Sequence, residues 1–128
     1  MKKLFADTNI FIRYFVRDNP EQLTKVNQLL EKAKTKAILL IVLPEVLFEI
    51  EFVLRSFYKI EKNKRIEYLA SIVESSYIEM PSRQIVINTL SLYGKHNVSI
   101  VDCWVYATAY YEGGDIATFD KDFKKIKK

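Results

Sequence analysis

Short apolar runs alternate with longer amphipathic stretches along the chain. The apolar runs predict buried strands over residues 3–6, 37–42, 77–80 and 115–119. Between them, apolar residues recur at helical spacing and predict helices over residues 8–16, 20–34, 44–58, 62–75, 82–95 and 99–111. Strands that are apolar at successive positions are typical of a sheet covered on both faces. The order predicts an α/β fold with a mainly parallel sheet and helices on both faces.

Length and composition narrow the class of protein. A chain of 128 residues has the length of one domain, and 49% hydrophobic with 28% charged residues is an ordinary globular composition. The single Cys excludes an intramolecular disulfide framework and a Cys-rich metal site, and the single His argues against a multi-histidine site. A metal ion bound by this chain therefore has mostly oxygen ligands.

The positive charge is concentrated at the C-terminal end. The formal net charge is +4, and residues 121–128 alone carry five Lys and one Asp. The rest of the chain is therefore balanced. Two interpretations stay open, a solvated and frayed terminus or an arm that binds phosphates and weakens with salt.

The N-terminal residues look like the start of a signal peptide, but the pattern does not continue. Asp7 interrupts the apolar run after three residues. The most apolar stretch, residues 37–43, is far shorter than the roughly 18–20 residues of a membrane helix. We therefore expect a soluble, cytoplasmic protein.

Four acidic positions are predicted near the carboxyl edge of the sheet. Asp7 and Asp120 directly follow predicted strands, at the edge where open parallel sheets bind ligands. Asp102 lies in the first turn of a predicted helix. The fourth acid belongs to the helix that follows the second strand.

Three glutamates of that helix compete for the fourth position. Glu45 and Glu49 are four residues apart and share one helical face, whereas Glu51 lies on nearly the opposite side from Glu49. The apolar stripe of the helix makes Glu49 the most interior candidate and Glu51 the solvated one. Helix geometry alone leaves Glu45 and Glu49 open.

The acids allow a catalytic and a structural interpretation. Clustered carboxylates repel one another unless a cation lies among them, and Mg²⁺ or Mn²⁺ prefers carboxylate and water ligands. Such an ion activates water and neutralises charge on a phosphodiester. Alternatively, each acid is structural: Asp7 caps the first helix, Asp102 belongs to a capping box with Ser99, Asp120 caps a short terminal helix and Glu49 is solvated.

Four segments resemble the motifs of the PIN-domain family, and most closely those of VapC-type toxin ribonucleases. They are FADTNIFIRY at residues 5–14, EIEFVL at 49–54, SIVDCWVYA at 99–107 and ATFDKDF at 117–123. They occur in the family's order over nearly the whole chain. The match of the second motif selects Glu49 over Glu45 as the family's acid.

This resemblance implies a three-layer α/β/α sandwich formed by one domain over residues 1–128. It implies Mg²⁺- or Mn²⁺-dependent cleavage of RNA that leaves 5′-phosphate and 3′-hydroxyl ends. It also implies a homodimer and inhibition by a cognate antitoxin protein. Carried onto this chain, the metal ligands are Asp7, Glu49, Asp102 and Asp120, the hydroxyls that help position the metal are Thr8 and Thr118, and the residue that orients Asp7 is Asn9.

Two other functions are compatible with parts of the pattern. A catalytically inert PIN-like module would bind RNA or a protein, although the intact acidic set argues against it. A phosphotransfer domain with an aspartate nucleophile wants a second Asp two residues after the first, where this chain has Asn9. The sequence therefore favours a metal-dependent endoribonuclease, the toxin of a type II toxin–antitoxin pair.

Overall fold

The computed structural model describes residues 1–126, and these form three strands and seven helices. The strands are β1 (Lys2–Phe5), β2 (Ile38–Ile41) and β3 (Ile78–Glu79). The helices are α1 (Thr8–Val16), α2 (Pro20–Lys34), α3 (Pro44–Ser56), α4 (Lys62–Val73), α5 (Arg83–Lys95), α6 (Ile100–Glu112) and α7 (Phe123–Ile126). The last two residues of the basic tail lie outside the described part.

The chain divides into two compact units, Met1–Pro81 and the residues from Ser82 onward. The first contains the sheet and α1 to α4, and the second contains α5 to α7. The α/β class and the parallel sheet predicted from the sequence are confirmed. The single-domain organisation stays a prediction.

The three strands form one parallel sheet in the order β1-β2-β3. Two backbone hydrogen bonds extend the pairing beyond the strand ends: the N–H of Ala6 donates to the carbonyl of Ile41, and the N–H of Val42 donates to the carbonyl of Glu79, each at 2.9 Å. The backbone is therefore held up to the residue that precedes Asp7.

The core of the first unit explains its apolar runs. Both faces of β2 are covered, since Leu40 is fully buried and its neighbour Ile41 is 7% exposed. Helix α1 packs against α2 and α3, and α3 packs against α4. The apolar faces of these helices meet in the core through Phe11, Ile12, Val26, Leu30, Leu47, Ile50, Leu54 and Leu69.

The predicted fourth strand over residues 115–119 is wrong. In the second unit these residues follow the left-handed Gly113 that ends α6, and they form no strand. A strand needs a partner for its backbone and cover for its apolar side chains, but Phe119 is fully exposed. The hydroxyl of Thr118 instead accepts from the N–H of Asp120 at 2.8 Å, so a local turn replaces the ladder.

The predicted solvation of Glu51 is also wrong, as is the interior position of Glu49. Glu51 is 2% exposed, and its Oε2 accepts from the Nε atoms of Arg55 and Arg65, both at 3.1 Å. The guanidinium of Arg65 also donates to the carbonyl of Ile60 at 2.7 Å. Glu49 is exposed. Since α4 brings Arg65 against the face of α3 that carries Glu51, the buried carboxylate has cationic partners.

We expect the substitution Glu51→Gln to lower the free energy of unfolding by about 3 kcal/mol, because it leaves the buried Arg65 without its counter-charge. Glu49→Gln removes a charge of the same type from an exposed position of the same helix and should change stability by less than about 0.5 kcal/mol. Urea denaturation of both variants measures the difference. Equal stabilities for the two variants would contradict the assigned role of the Glu51 ion pairs.

Candidate active site

Asp7 lies directly after β1 and is the N-cap of α1. Its backbone is extended, with φ −92° and ψ 164°, and its Oδ1 accepts from the backbone N–H of Asn9 at 2.9 Å. The contact between Asn9 and Asp7 is made by the backbone, and an orienting role of the Asn9 side chain stays a prediction. A cap bond uses one acceptor position of a carboxylate that has about four, so the exposed Asp7 can still bind a cation.

A cleft of about 240 Å³ opens beside Asp7 in the first unit. Its walls come from α1 and α2 and from the residue that precedes α1. The lining residues are Asp7, Asn9, Ile10, Arg13, Gln22, Lys25 and Val26. The cleft thus places two cationic side chains near one of the predicted catalytic acids.

Arg13 is held in position by a carboxylate from the loop between α1 and α2. Its guanidinium donates to Oδ1 of Asp18 at 2.6 Å, and the hydroxyl of Tyr58 donates to Oδ2 of Asp18 at 3.4 Å. The hydrogen bond to Asp18 raises the pKa of Arg13 above its ordinary value. Like other arginines, Arg13 is charged at every physiological pH.

In the second unit, the carboxylates of Asp102, Asp120 and Asp122 come together. One oxygen from each lies within 4.8 Å of the others. Asp102 is in the first turn of α6, whose N-cap Ser99 accepts from the backbone N–H of Asp102 at 3.1 Å. The helix start thus fixes the first member of the cluster.

The other two members are fixed by a pair of consecutive turns. Thr118 accepts from the N–H of Asp120, and Oδ1 of Asp120 accepts from the N–H of Asp122 at 2.9 Å. Thr118 thus holds the backbone of Asp120, and its role in positioning a metal stays a prediction. Asp122 also forms an ion pair with Lys125 at 3.2 Å.

Asp122 was not among the acids selected from the sequence. The signal that could have found it is its spacing, because it lies two residues after Asp120 at the start of a short terminal helix. Such a spacing lets one side chain hydrogen-bond the backbone of the other in an Asx turn. That contact brings both carboxylates to one place.

The electrostatics of the cluster suit a hard divalent cation. Two unit charges 4 Å apart repel by about 1 kcal/mol in water and about 4 kcal/mol near a protein surface. The N-terminal end of α6 offsets part of this repulsion for Asp102. Three carboxylates within 4.8 Å supply the oxygen donors that Mg²⁺ and Mn²⁺ prefer. The donor set therefore fits a divalent metal ion, as the composition predicts.

The remaining predicted residues lie in the first unit. Glu49 is exposed on α3, and so is Glu45, one turn earlier on the same face. Thr8 is half-buried at the first position of α1. Of the four predicted acids, the structure brings together Asp102 and Asp120. The ligand roles of all four acids stay predictions, and so does the choice between Glu49 and Glu45.

The described helices also bear on membrane association. None of the helices within residues 1–126 is both long enough and apolar enough to cross a bilayer.

Of three comparisons with known proteins, one identifies a family. The family model of the PIN domain matches residues 4–128. No curated protein and no solved structure matches the chain. PIN domains are usually nucleases and generally use divalent metals, so the match indicates nuclease-type activity in general.

We expect Mn²⁺ to raise the thermal stability of the protein, by about 2.7 kcal/mol at a concentration 100 times the Kd. Asp120→Asn should remove most of this gain, because Asn keeps the turn to Asp122 but loses the charge. Asp115→Asn neutralises an exposed acid of the same segment that is outside the cluster, and should keep the gain. Thermal unfolding with MnCl2 and with EDTA measures the gain in stability for wild type and for each variant. An undiminished gain in Asp120→Asn would contradict metal binding by the cluster.

Proposed function

This chain belongs to the PIN-domain family, and we propose that it is a metal-dependent endoribonuclease. The observation that carries the proposal is the group of three carboxylates within 4.8 Å in the second unit. Two of the three, Asp102 and Asp120, are the acids of the third and fourth family-like motifs. Repulsion within such a group is unfavourable to folding and is relieved by a cation.

The proposed catalytic acids are Asp7, Glu49, Asp102 and Asp120, with Asp122 as an additional ligand. In this proposal Asp102 and Asp120 hold Mg²⁺ or Mn²⁺. When bound, the ion supplies an activated water and neutralises negative charge on the phosphodiester. Ser99 and Thr118 position the acids, since each accepts a hydrogen bond from the backbone N–H of an acid of the cluster.

The acids are accessible to a polymer. Asp7, Glu49 and Asp120 are exposed, and Asp102 and Asp122 are half-buried. This exposure is compatible with a polymeric substrate such as RNA.

The biological role we propose is that of the toxin of a type II toxin–antitoxin pair. It is supported by the resemblance of four segments, in order, to the motifs of VapC-type toxins. The proposal includes a cytoplasmic homodimer, an RNA substrate and a cognate antitoxin protein that blocks the acidic site. Co-purification of the antitoxin with this chain, and loss of RNA cleavage in the complex, tests this role.

One observation favours a second candidate, a catalytically inert RNA- or protein-binding module. Asp7 caps α1 and Asp120 holds a turn, so both would have a structural use without catalysis. Such a module would bind its partner without turnover. The metal-dependent cleavage assay below separates the two candidates.

We expect purified protein to cut total RNA into discrete fragments with Mg²⁺ or Mn²⁺ and to leave it intact with EDTA. Asp7→Asn should abolish cleavage and keep the fold, because Asn caps a helix about as well as Asp but carries no charge. Gel analysis of the fragments measures cleavage, and circular dichroism measures whether the variant is folded. Cleavage at the wild-type rate by a folded Asp7→Asn variant would contradict the role of Asp7.

The two exposed glutamates of α3 can be distinguished in the same assay. We expect Glu49→Gln to lower the cleavage rate at least about 100-fold, in line with losses on removing groups that hold or orient a metal. Glu45→Gln, one turn away on the same face, should stay within about twofold of wild type. The reverse order of effects would assign the second acidic motif to Glu45.

A further inference from the structure

Apart from Asp7 and Asn9, the residues that line the cleft beside Asp7 have no role in the proposed reaction. On α1, Ile10 and Arg13 are three residues apart and therefore share a face. On α2, Gln22 shares a face with Lys25 and Val26 for the same reason. The two faces line one cleft because α1 packs against α2.

The apolar part of the cleft suits a flat, uncharged group. Val26 is 4% exposed and Ile10 is half-buried, so both are fixed by packing on one side. The side-chain amides of Asn9 and Gln22 have no hydrogen-bond partner within residues 1–126. An amide beside an aliphatic surface suits a nucleobase, which makes apolar contact through its face and hydrogen bonds through its edge.

The charged part of the cleft suits a phosphate. Lys25 is exposed and forms no ion pair within the part of the chain that the structure describes. Arg13, in contrast, is already paired with Asp18 at 2.6 Å. Lys25 is therefore the cation that remains available to an anionic ligand in this cleft.

The volume of the cleft distinguishes a polymer unit from a whole small molecule. Pockets that bury a drug-sized ligand measure about 300–1,000 Å³, and this cleft measures about 240 Å³. It therefore fits one unit of a larger ligand whose remainder lies outside. One nucleotide of an RNA chain has this property. Because Asp7 is both a wall of the cleft and a proposed catalytic acid, we expect this nucleotide to lie next to the one that is cut.

We propose that the cleft between α1 and α2 is a nucleotide subsite, in which Gln22 determines base preference and Lys25 contacts the adjoining phosphate. The occupant is a single-stranded RNA residue adjacent to the scissile phosphate. The inference rests on the proposed function, because it assigns the substrate-recognition part of the same site. Gln22 and Lys25 are recognition residues and take no part in bond cleavage.

Binding of short RNA in EDTA tests the subsite without relying on cleavage. Fluorescence anisotropy with labelled hexamers of rA, rC, rG and rU gives an affinity for each base. We expect unequal affinities for wild type and a loss of at least about fivefold in preference for Gln22→Ala. Lys25→Ala should weaken binding of all four by a similar factor, and should reduce the slope of log affinity against log salt by about 0.7.

Matched controls lie on the same helix but outside the cleft. Gln28→Ala and Lys32→Ala remove the same side-chain types from exposed positions that do not line the cleft, and should behave as wild type. Thermal unfolding verifies that all four variants are folded.

The outcomes separate the subsite from the proposed reaction. Equal affinities for the four hexamers, an unchanged preference in Gln22→Ala, or an unchanged salt slope in Lys25→Ala would overturn the subsite. If the preference and its loss are observed but wild type with Mn²⁺ cuts no RNA, recognition of a base by the cleft is supported, whereas its place beside a scissile phosphate and the proposed nuclease activity both fail.

Discussion

Parallel pairing of β1 with β2 is the constraint on which the position of Asp7 depends. The hydrogen bond between Ala6 and Ile41 holds the chain at the last residue before the acid. The cap bond from Asp7 to the backbone of Asn9 then starts α1 at once. The end of β1, Asp7 and the start of α1 are therefore contiguous. The direction of α1 determines the position of the cleft that it shares with α2. A change in the register of this pairing would move the acid and the cleft together.

The acids of this chain have structural and proposed chemical uses that do not compete. Asp7 caps a helix, Asp120 holds a turn through Asp122, and the backbone of Asp102 is held by Ser99. These bonds orient the carboxylates while leaving acceptor positions available to a cation. Local hydrogen bonds of this kind also explain how the folded chain tolerates the repulsion within the cluster. A bound metal ion would relieve the remaining repulsion among the carboxylates.

The sequence predicts helices and strands well where neighbouring residues determine them. It predicts them less well where contacts with distant segments of the chain determine them. The apolar runs place β1 to β3, and Ser99 caps the start of α6 as its capping box predicts. The strand over residues 115–119 is absent because strand formation depends on a partner that the sequence does not specify. Glu51 is buried because Arg65 of a different helix meets it, and no helical periodicity contains that information.

Binding of a divalent ion by Asp102 and Asp120 can be observed by anomalous diffraction from crystals of the wild-type protein grown with Mn²⁺. We expect an anomalous peak at coordination distance, about 2.0–2.2 Å, from carboxylate oxygens of both residues. A peak that neither residue contacts, or the absence of a peak at a Mn²⁺ concentration that supports RNA cleavage, would contradict it.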